Sequence, residues 1–285
     1  MKLHTLALVA AFSAFGVSAE AQTCSALCGK NFWQTASQGE IVAELSKVDV
    51  NARSVLGYTA LIWAAAFGTD EHVKLLLDAG ADVNSWNDNG RTALMFAVDN
   101  GTPSKNVKLL LDAGADVNLR TKDGETALLF AVDNGAPENV KLLLDAGADV
   151  NARTKDGATV LISAIVLGAL AENVKFLLDA GADVNARTED KLTALFLAVV
   201  SNAVEHMKLL LDAGADVNAQ DENGLTVLIA AIFGSNPENV KLLLDAGADA
   251  SLKDFFGNTP WDYAQDNEKF KGTDAYWMLN NARFK

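Results

Sequence analysis

Histidine is scarce in this chain. Three histidines stand among 285 residues, and His4 lies in the leading segment. His72 and His206 occupy the same register of a repeated pattern in which other copies carry asparagine, such as Asn106 and Asn239. A position that alternates between histidine and asparagine indicates a polar helix start rather than a metal ligand or a base. With no histidine triad, no phosphate-cradling glycine loop and no zinc motif, we expect no catalytic residue, metal or cofactor, and no enzyme.

Positive charge is in the minority. The chain has 23 lysines and arginines against 37 aspartates and glutamates, which gives a formal net charge of -14. A chain of this charge repels phosphate backbones and anionic lipids. The composition therefore argues against nucleic acid as a partner.

Long apolar runs are missing. The only extended one covers residues 5–17, which is shorter than the roughly 20 residues that span a bilayer. Lys2 precedes it and the small-residue stretch 18–21 follows it, an arrangement typical of a secretory signal peptide. We expect residues 1–21 to be removed, and the mature protein to be periplasmic or secreted without insertion into a membrane.

Cysteine occurs twice, at Cys24 and Cys28, in the segment 22–29 that we assign as an N-terminal tail. In a helix, their Cβ atoms would lie about 5 to 6 Å apart, more than the roughly 3.5 to 4.5 Å of a disulfide. A bridge between them would therefore need a non-helical turn. An oxidising destination favours a disulfide, either between these two cysteines or with another chain.

Two markers recur along the rest of the chain. The heptamer D-A-G-A-D-V-N begins at Asp78 and returns after 34, 33, 34 and 33 residues, and a variant, D-A-G-A-D-A-S, follows after another 33. A second marker keeps the same period, as in Gly90-Arg91-Thr92-Ala93-Leu94, although Lys191 replaces its glycine in the fifth unit. A fixed period of this length is typical of repeat architectures.

The two markers resemble the ankyrin repeat family. The resemblance implies an all-α solenoid of stacked helix-turn-helix units joined by β-hairpin-like loops. It places capping helices at 30–51, six repeats at 52–251 and a C-terminal capping repeat at 252–285, as one continuous and monomeric domain. The family's proline remains only as Pro260, and apolar residues such as Ile62 and Met95 replace its histidine.

The chemistry of each unit agrees with this fold. Thr59 can cap the first helix, and Val73, Leu76 and Leu77 give the second helix an apolar face. Gly80 supplies a left-handed exit from that helix. Lys74 and Asp78 stand four residues apart, and the repetition of this pair in later units indicates a weak structural ladder rather than catalysis.

Function is expected where the repeats differ. In the ankyrin family, partners contact the hairpin tips and the concave side of the first helix, and the resemblance carries this role to matching positions. The predicted protein-binding residues are Tyr58, Phe67, Arg91, Asp99, Asn100, Glu125, Asp133, Asn134, Val166, Leu167, Leu192, Val200, Leu225 and Phe233. Apolar residues also stand at the first and last tips, at Val55, Leu56, Phe255 and Phe256, where either cap packing or a partner could cover them.

Asp99, Asn100, Asp133 and Asn134 form an acidic step between the apolar zones. The pattern favours a partner that presents an apolar ridge flanked by basic groups. The predicted function is that of an exported adaptor or inhibitor that binds proteins. The alternatives are a secreted effector that binds host-cell proteins, a structural element of an envelope complex, and an enzyme with an unrecognised site.

Overall fold

The computed structural model describes residues 26–134 and 136–284, and the regular secondary structure there is helical. The predicted signal peptide and Cys24 lie outside the described residues. Cys28 is disulfide-bonded and ends a short 3-10 helix, Ala26–Cys28, which precedes the sixteen α-helices of the described residues. These are α1 Lys30–Thr35, α2 Gln38–Leu45, α3 Ala60–Phe67, α4 Asp70–Asp78, α5 Ala93–Asp99, α6 Ser104–Asp112, α7 Ala127–Asp133, α8 Pro137–Asp145, α9 Val160–Leu167, α10 Ala171–Asp179, α11 Ala194–Val200, α12 Val204–Asp212, α13 Val227–Phe233, α14 Pro237–Asp245, α15 Pro260–Gln265 and α16 Asp274–Ala282.

The helices alternate between two kinds. The first helix of each repeat is almost entirely apolar, and in α3 every residue from Ala60 to Ala66 is buried. The second helix is amphipathic, so that Val73 and Leu76 of α4 are buried while Lys74 and Asp78 face solvent. Because neither helix can cover its apolar surface alone, the repeats stabilise one another by stacking.

The ends of the helices follow from local chemistry. The Thr59 side chain accepts a hydrogen bond from the backbone N–H of Ile62 and thereby caps α3, as predicted, and equivalent threonines cap most of the other first helices. Gly80 ends α4 with a φ of +86°. A left-handed residue at this position lets the chain leave the helix.

Short hairpins connect the repeats. Isolated antiparallel bridges join their arms at Trp86–Thr92, Arg153–Thr159, Arg187–Thr193 and Gln220–Thr226. Neighbouring tips are linked by single backbone hydrogen bonds, for example from Asp88 N to Leu56 O at 3.1 Å. The predicted β-hairpin-like loops are therefore present, although they contain too few paired residues to form strands.

Within residues 26–148, and again within residues 149–284, asparagine side chains tie one repeat to the next. Asn51 donates through Nδ2 to the carbonyl of Gly80 at 3.2 Å and accepts from the backbone N–H of Asp82 at 2.7 Å. Asn84 and Asn185 each make the same pair of bonds to the repeat that follows their own. The final residue of the D-A-G-A-D-V-N marker is thus a cross-link between repeats.

The contacts divide the chain into a first unit that ends at Ala148 and a second unit that begins at Asp149. Each unit has its own buried core, formed by first helices that pack side by side, such as α3 against α5 in the first unit and α11 against α13 in the second. His72 and His206 are the third residues of α4 and α12, at the helix start that the sequence pattern indicated, and both side chains are buried. The reason is that this register faces the core of the stack.

Candidate protein-binding surface

In the second unit, three successive first helices end in exposed apolar side chains. Val166 and Leu167 are the last residues of α9, Val200 ends α11 and Phe233 ends α13. Their side chains are between 47% and 64% exposed. Because α9 contacts α11 and α11 contacts α13, these four residues form a row across adjacent repeats, which we call the helix-end row.

One end of the helix-end row packs against the C-terminal helix pair. The Phe233 ring meets the Tyr263 ring edge to face, with centroids 4.7 Å apart. The Tyr263 hydroxyl donates to the buried carboxylate of Asp254 and accepts from Asn258 Nδ2 at 3.2 Å. Burial raises the pKa of Asp254, but hydrogen bonds from Tyr263 and from backbone N–H groups outweigh burial and hold that pKa below its ordinary value.

In the first unit, the equivalent positions are more polar. Phe67 at the end of α3 is half-buried, and its ring stacks near Trp63 with centroids 5.8 Å apart. Asp99 is half-buried, whereas Asn100, Asp133 and Asn134 are exposed. The predicted acidic step is therefore largely accessible.

Arg91 is buried in the first unit rather than exposed on its surface. The side chain is buried, and its guanidinium carbon lies 4.3 Å from the centroid of the Phe96 ring and 4.2 Å from that of Phe130. The same guanidinium pairs with the Asp99 carboxylate, which also accepts from Asn134 Nδ2 at 3.0 Å. Reversing the charge of Asp99 would therefore break an internal cluster as well as change the acidic step.

The predicted hairpin residues lie next to the first helices. Tyr58, Glu125, Leu192 and Leu225 are all half-buried. Burial is the largest influence on Tyr58 and raises the pKa of its hydroxyl, despite the opposing effects of Asn87 and Arg91. These four residues therefore offer part of each side chain to a partner.

The outermost tips are open. Val55 and Leu56 in the first unit, and Phe255 and Phe256 in the second, are between 61% and 81% exposed. The described residues of the caps therefore do not cover them, and coverage by a partner stays a prediction. The backbone of Phe255 is nevertheless tied to the preceding tip through a 3.1 Å bond from its N–H to the carbonyl of Asn223.

One further register of the first helix is not among the predicted binding positions. The fourth residue after the capping threonine also varies between repeats and is Trp63, Phe96, Phe130, Ser163, Leu197, Ala230 and Tyr263 in turn. In the first unit this position carries the aromatic rings that surround Tyr58 and Arg91. The same criterion of variation, applied one helical turn earlier, would have found it.

Among the described residues, no helix combines the length and the apolar character that crossing a membrane would require. In the same part of the chain, no group of three or more histidine, cysteine, aspartate or glutamate side chains is arranged to hold a metal ion.

Comparisons with known proteins agree with the repeat architecture. The sequence profile of ankyrin repeats (three copies) matches residues 32–121, 103–188, 171–254 and 195–271. The search of curated proteins found no match. A solved structure of the ankyrin repeat domain of Bcl-3, described as a unique member of the IkappaB protein family, is 33% identical. The alignment covers 75% of this chain and 97% of that domain, with a TM-score of 0.69.

The ankyrin repeat fold is a scaffold for protein–protein interaction, and both comparisons place that scaffold in this protein. The predicted all-α, stacked helix-turn-helix architecture is thereby confirmed. The chain belongs to the ankyrin repeat family.

Proposed function

We propose that this protein acts after export as an adaptor or inhibitor that binds another protein through the ends of its first helices. The helix-end row of Val166, Leu167, Val200 and Phe233 is the observation that carries the proposal. Contiguous exposed apolar surface is unfavourable in water unless a partner covers it, and it usually marks an interaction site.

The helix-end row has the composition of a binding hot spot. Aromatic side chains contribute most to protein interfaces, and Phe233 is held in place by Tyr263 before any partner arrives. Rigid anchors bind more tightly because little side-chain entropy is lost on association. Phe233 is therefore the strongest single candidate for a binding hot spot.

Export is supported by two features of the sequence and the structure. Residues 1–21 have the pattern of a secretory signal peptide, and Cys28 is disulfide-bonded, which suits an oxidising compartment. The partner is then a periplasmic or extracellular protein. A host-cell protein would fit the same surface, so the source from which the partner is captured distinguishes an adaptor from a secreted effector.

A crosslinked pull-down tests this proposal. The native envelope and culture fluid, and separately a host-cell extract, are incubated with wild type, Val200→Ser and Phe233→Ser. Two variants serve as matched controls, Val42→Ser and Phe284→Ser, because Val42 is 55% and Phe284 76% exposed and both lie outside the helix-end row.

We expect one partner that is recovered with wild type and both controls and is lost with Val200→Ser and Phe233→Ser. Capture that is equal for all five proteins would contradict a role for the helix-end row. Loss with the control variants instead would place the interface on α2 or at the C-terminal end of the chain.

A further inference from the structure

A row of carboxylates runs beside the helix-end row in the second unit. The second helices α10, α12 and α14 each begin after a turn of three residues, and their second positions are Glu172, Glu205 and Glu238. All three glutamates are exposed. Three successive repeats therefore present the same pair of features, an apolar side chain at the end of one helix and a glutamate at the start of the next.

Glutamate is common at this register, since Glu71 and Glu138 also occupy it in the first unit, but the fold does not require it. A carboxylate there does favour the helix by opposing the positive end of its dipole. However, repeat 2 carries Lys105 at the corresponding position of α6, where it pairs with Asp70. The three glutamates of the second unit are exposed, so their charges are accessible to a ligand.

The period of the two rows limits the shape of a ligand. Helices that pack side by side have axes about 8–10 Å apart, so the apolar side chains of adjacent repeats recur at about that interval. In an α-helix, residues seven apart lie on nearly the same face and are separated by about 10.5 Å. In an extended strand, three residues cover a similar distance but successive contacts fall on opposite faces.

From this match, and resting on the proposed function, we infer that the helix-end row and the glutamate row together bind an amphipathic α-helix of the partner protein. That helix carries apolar residues at intervals of seven and lysine or arginine along one edge. The apolar residues contact Val166, Leu167, Val200 and Phe233, and the basic edge faces Glu172, Glu205 and Glu238. The net charge of -14 for the whole chain adds long-range attraction for a basic segment.

A peptide library tests the inference without knowledge of the natural partner. Each peptide is about 18 residues long, or five helical turns, with leucines spaced three, five, seven or nine residues apart and either lysine or glutamate along one edge. Wild type should enrich the lysine-edged peptides with seven-residue spacing by at least about tenfold over the others, the scale of a charge-matched interface.

A charge-swapped protein provides the decisive comparison. In the triple variant Glu172→Lys, Glu205→Lys and Glu238→Lys, the preference should change from lysine-edged to glutamate-edged peptides. Misfolding could remove binding but could not create this new preference. The matched control is Asp179→Lys, Asp212→Lys and Asp245→Lys, which makes the same charge change at the exposed far ends of the same three helices and should leave the preference of wild type intact.

Enrichment of any other spacing above the seven-residue spacing would overturn a helical ligand that follows the period of the repeats, because residues seven apart recur on one helical face at about that period. An unchanged preference in the glutamate triple variant, or no enrichment of any spacing, would overturn the role of the two rows in binding a helix. The proposed function is tested separately, because the pull-down can still show a partner that depends on Val200 and Phe233 when the peptide experiment fails.

Discussion

The aromatic ring of Phe233 rests edge to face against the ring of Tyr263, with 4.7 Å between their centroids. Phe233 ends the first helix of repeat 6, and Tyr263 belongs to α15 in the C-terminal pair. The half-buried Tyr263 is therefore a positioning residue for an exposed apolar anchor. Its hydroxyl and its ring have separate roles that substitution can distinguish.

Tyr263→Ala removes the ring that supports Phe233, whereas Tyr263→Phe keeps the ring and removes only the hydroxyl. We expect Tyr263→Ala to weaken partner binding by roughly two- to tenfold, the scale of one aromatic pair, and Tyr263→Phe to bind as wild type does. Titration of the captured partner by calorimetry measures both. Equal weakening by the two variants would show that the hydroxyl, and not the ring, controls the position of Phe233.

The stability of the C-terminal hairpin should depend on acid through Asp254. Its pKa is lowered in the folded state, so its contribution is complete above the unfolded-state pKa of about 3.9 and is lost as the pH falls through the lower folded value. Wild type should therefore exceed Asp254→Asn in unfolding free energy at neutral pH, and the difference should shrink at pH values below about 3.9. Urea unfolding of both proteins across this range gives the answer, and a difference independent of pH would contradict the assignment.

The Arg91 cluster should be sensitive to a substitution that keeps its charge. Lysine cannot stack between Phe96 and Phe130 as the planar guanidinium does, so Arg91→Lys should lower the unfolding free energy by about 1 to 2 kcal/mol. The exposed Arg187, which donates a hydrogen bond to the carbonyl of Gln220, provides the comparison. Because lysine keeps a donor there, Arg187→Lys should change the unfolding free energy by less than about 0.5 kcal/mol. Denaturant unfolding monitored by circular dichroism is sufficient, and equal effects would argue against stacking as the cause.

Lys191 adopts a conformation that suits glycine. Its φ is +61°, whereas the equivalent Gly157 has a φ of +76°. We expect Lys191→Gly to raise the unfolding free energy by about 1 kcal/mol and Gly157→Ala to lower it by about the same amount, because a side chain is strained there. A methyl group at Gly157 would lie no closer than 3.7 Å to its nearest neighbour, Glu189 Cγ. Steric crowding therefore does not contribute to the expected effect of Gly157→Ala.

Asn106 is a buried amide whose two polar atoms have no hydrogen-bond partner among the described residues. Because desolvation of an unpaired amide is costly, Asn106→Val should raise the unfolding free energy by about 1 kcal/mol. Asn239 has the same register, but its Nδ2 donates to Asn202 Oδ1 at 3.1 Å, so Asn239→Val should not stabilise the protein. Thermal melts of the two variants, compared with wild type, would contradict this reasoning if Asn106→Val proved the less stable.

The sequence alone determined the period of the repeats, the two helices of each repeat and most of the helix caps. These features follow from local chemistry, since the hydroxyl of Thr59 can reach only the next turn of its own helix, and Gly80 needs no distant contact to adopt a left-handed conformation. The period of the two markers then implied stacking, because one such unit has too little core to fold alone. Alignment of the repeats by the same period also identified the positions at the ends of the first helices that vary between repeats.

Only the tertiary structure decided how individual side chains at those positions are used. The sequence positions of Arg91, Phe96 and Phe130 do not predict that the Arg91 guanidinium is buried between two aromatic rings from adjacent repeats. That contact depends on how α5 packs against α7. Burial of His72 and Asn106, and exposure of Phe255 and Phe256, likewise depend on the orientation of each residue toward the neighbouring repeat. Local sequence fixes the conformation of a helix, whereas the surface that it leaves open to a partner depends on the elements that pack around it.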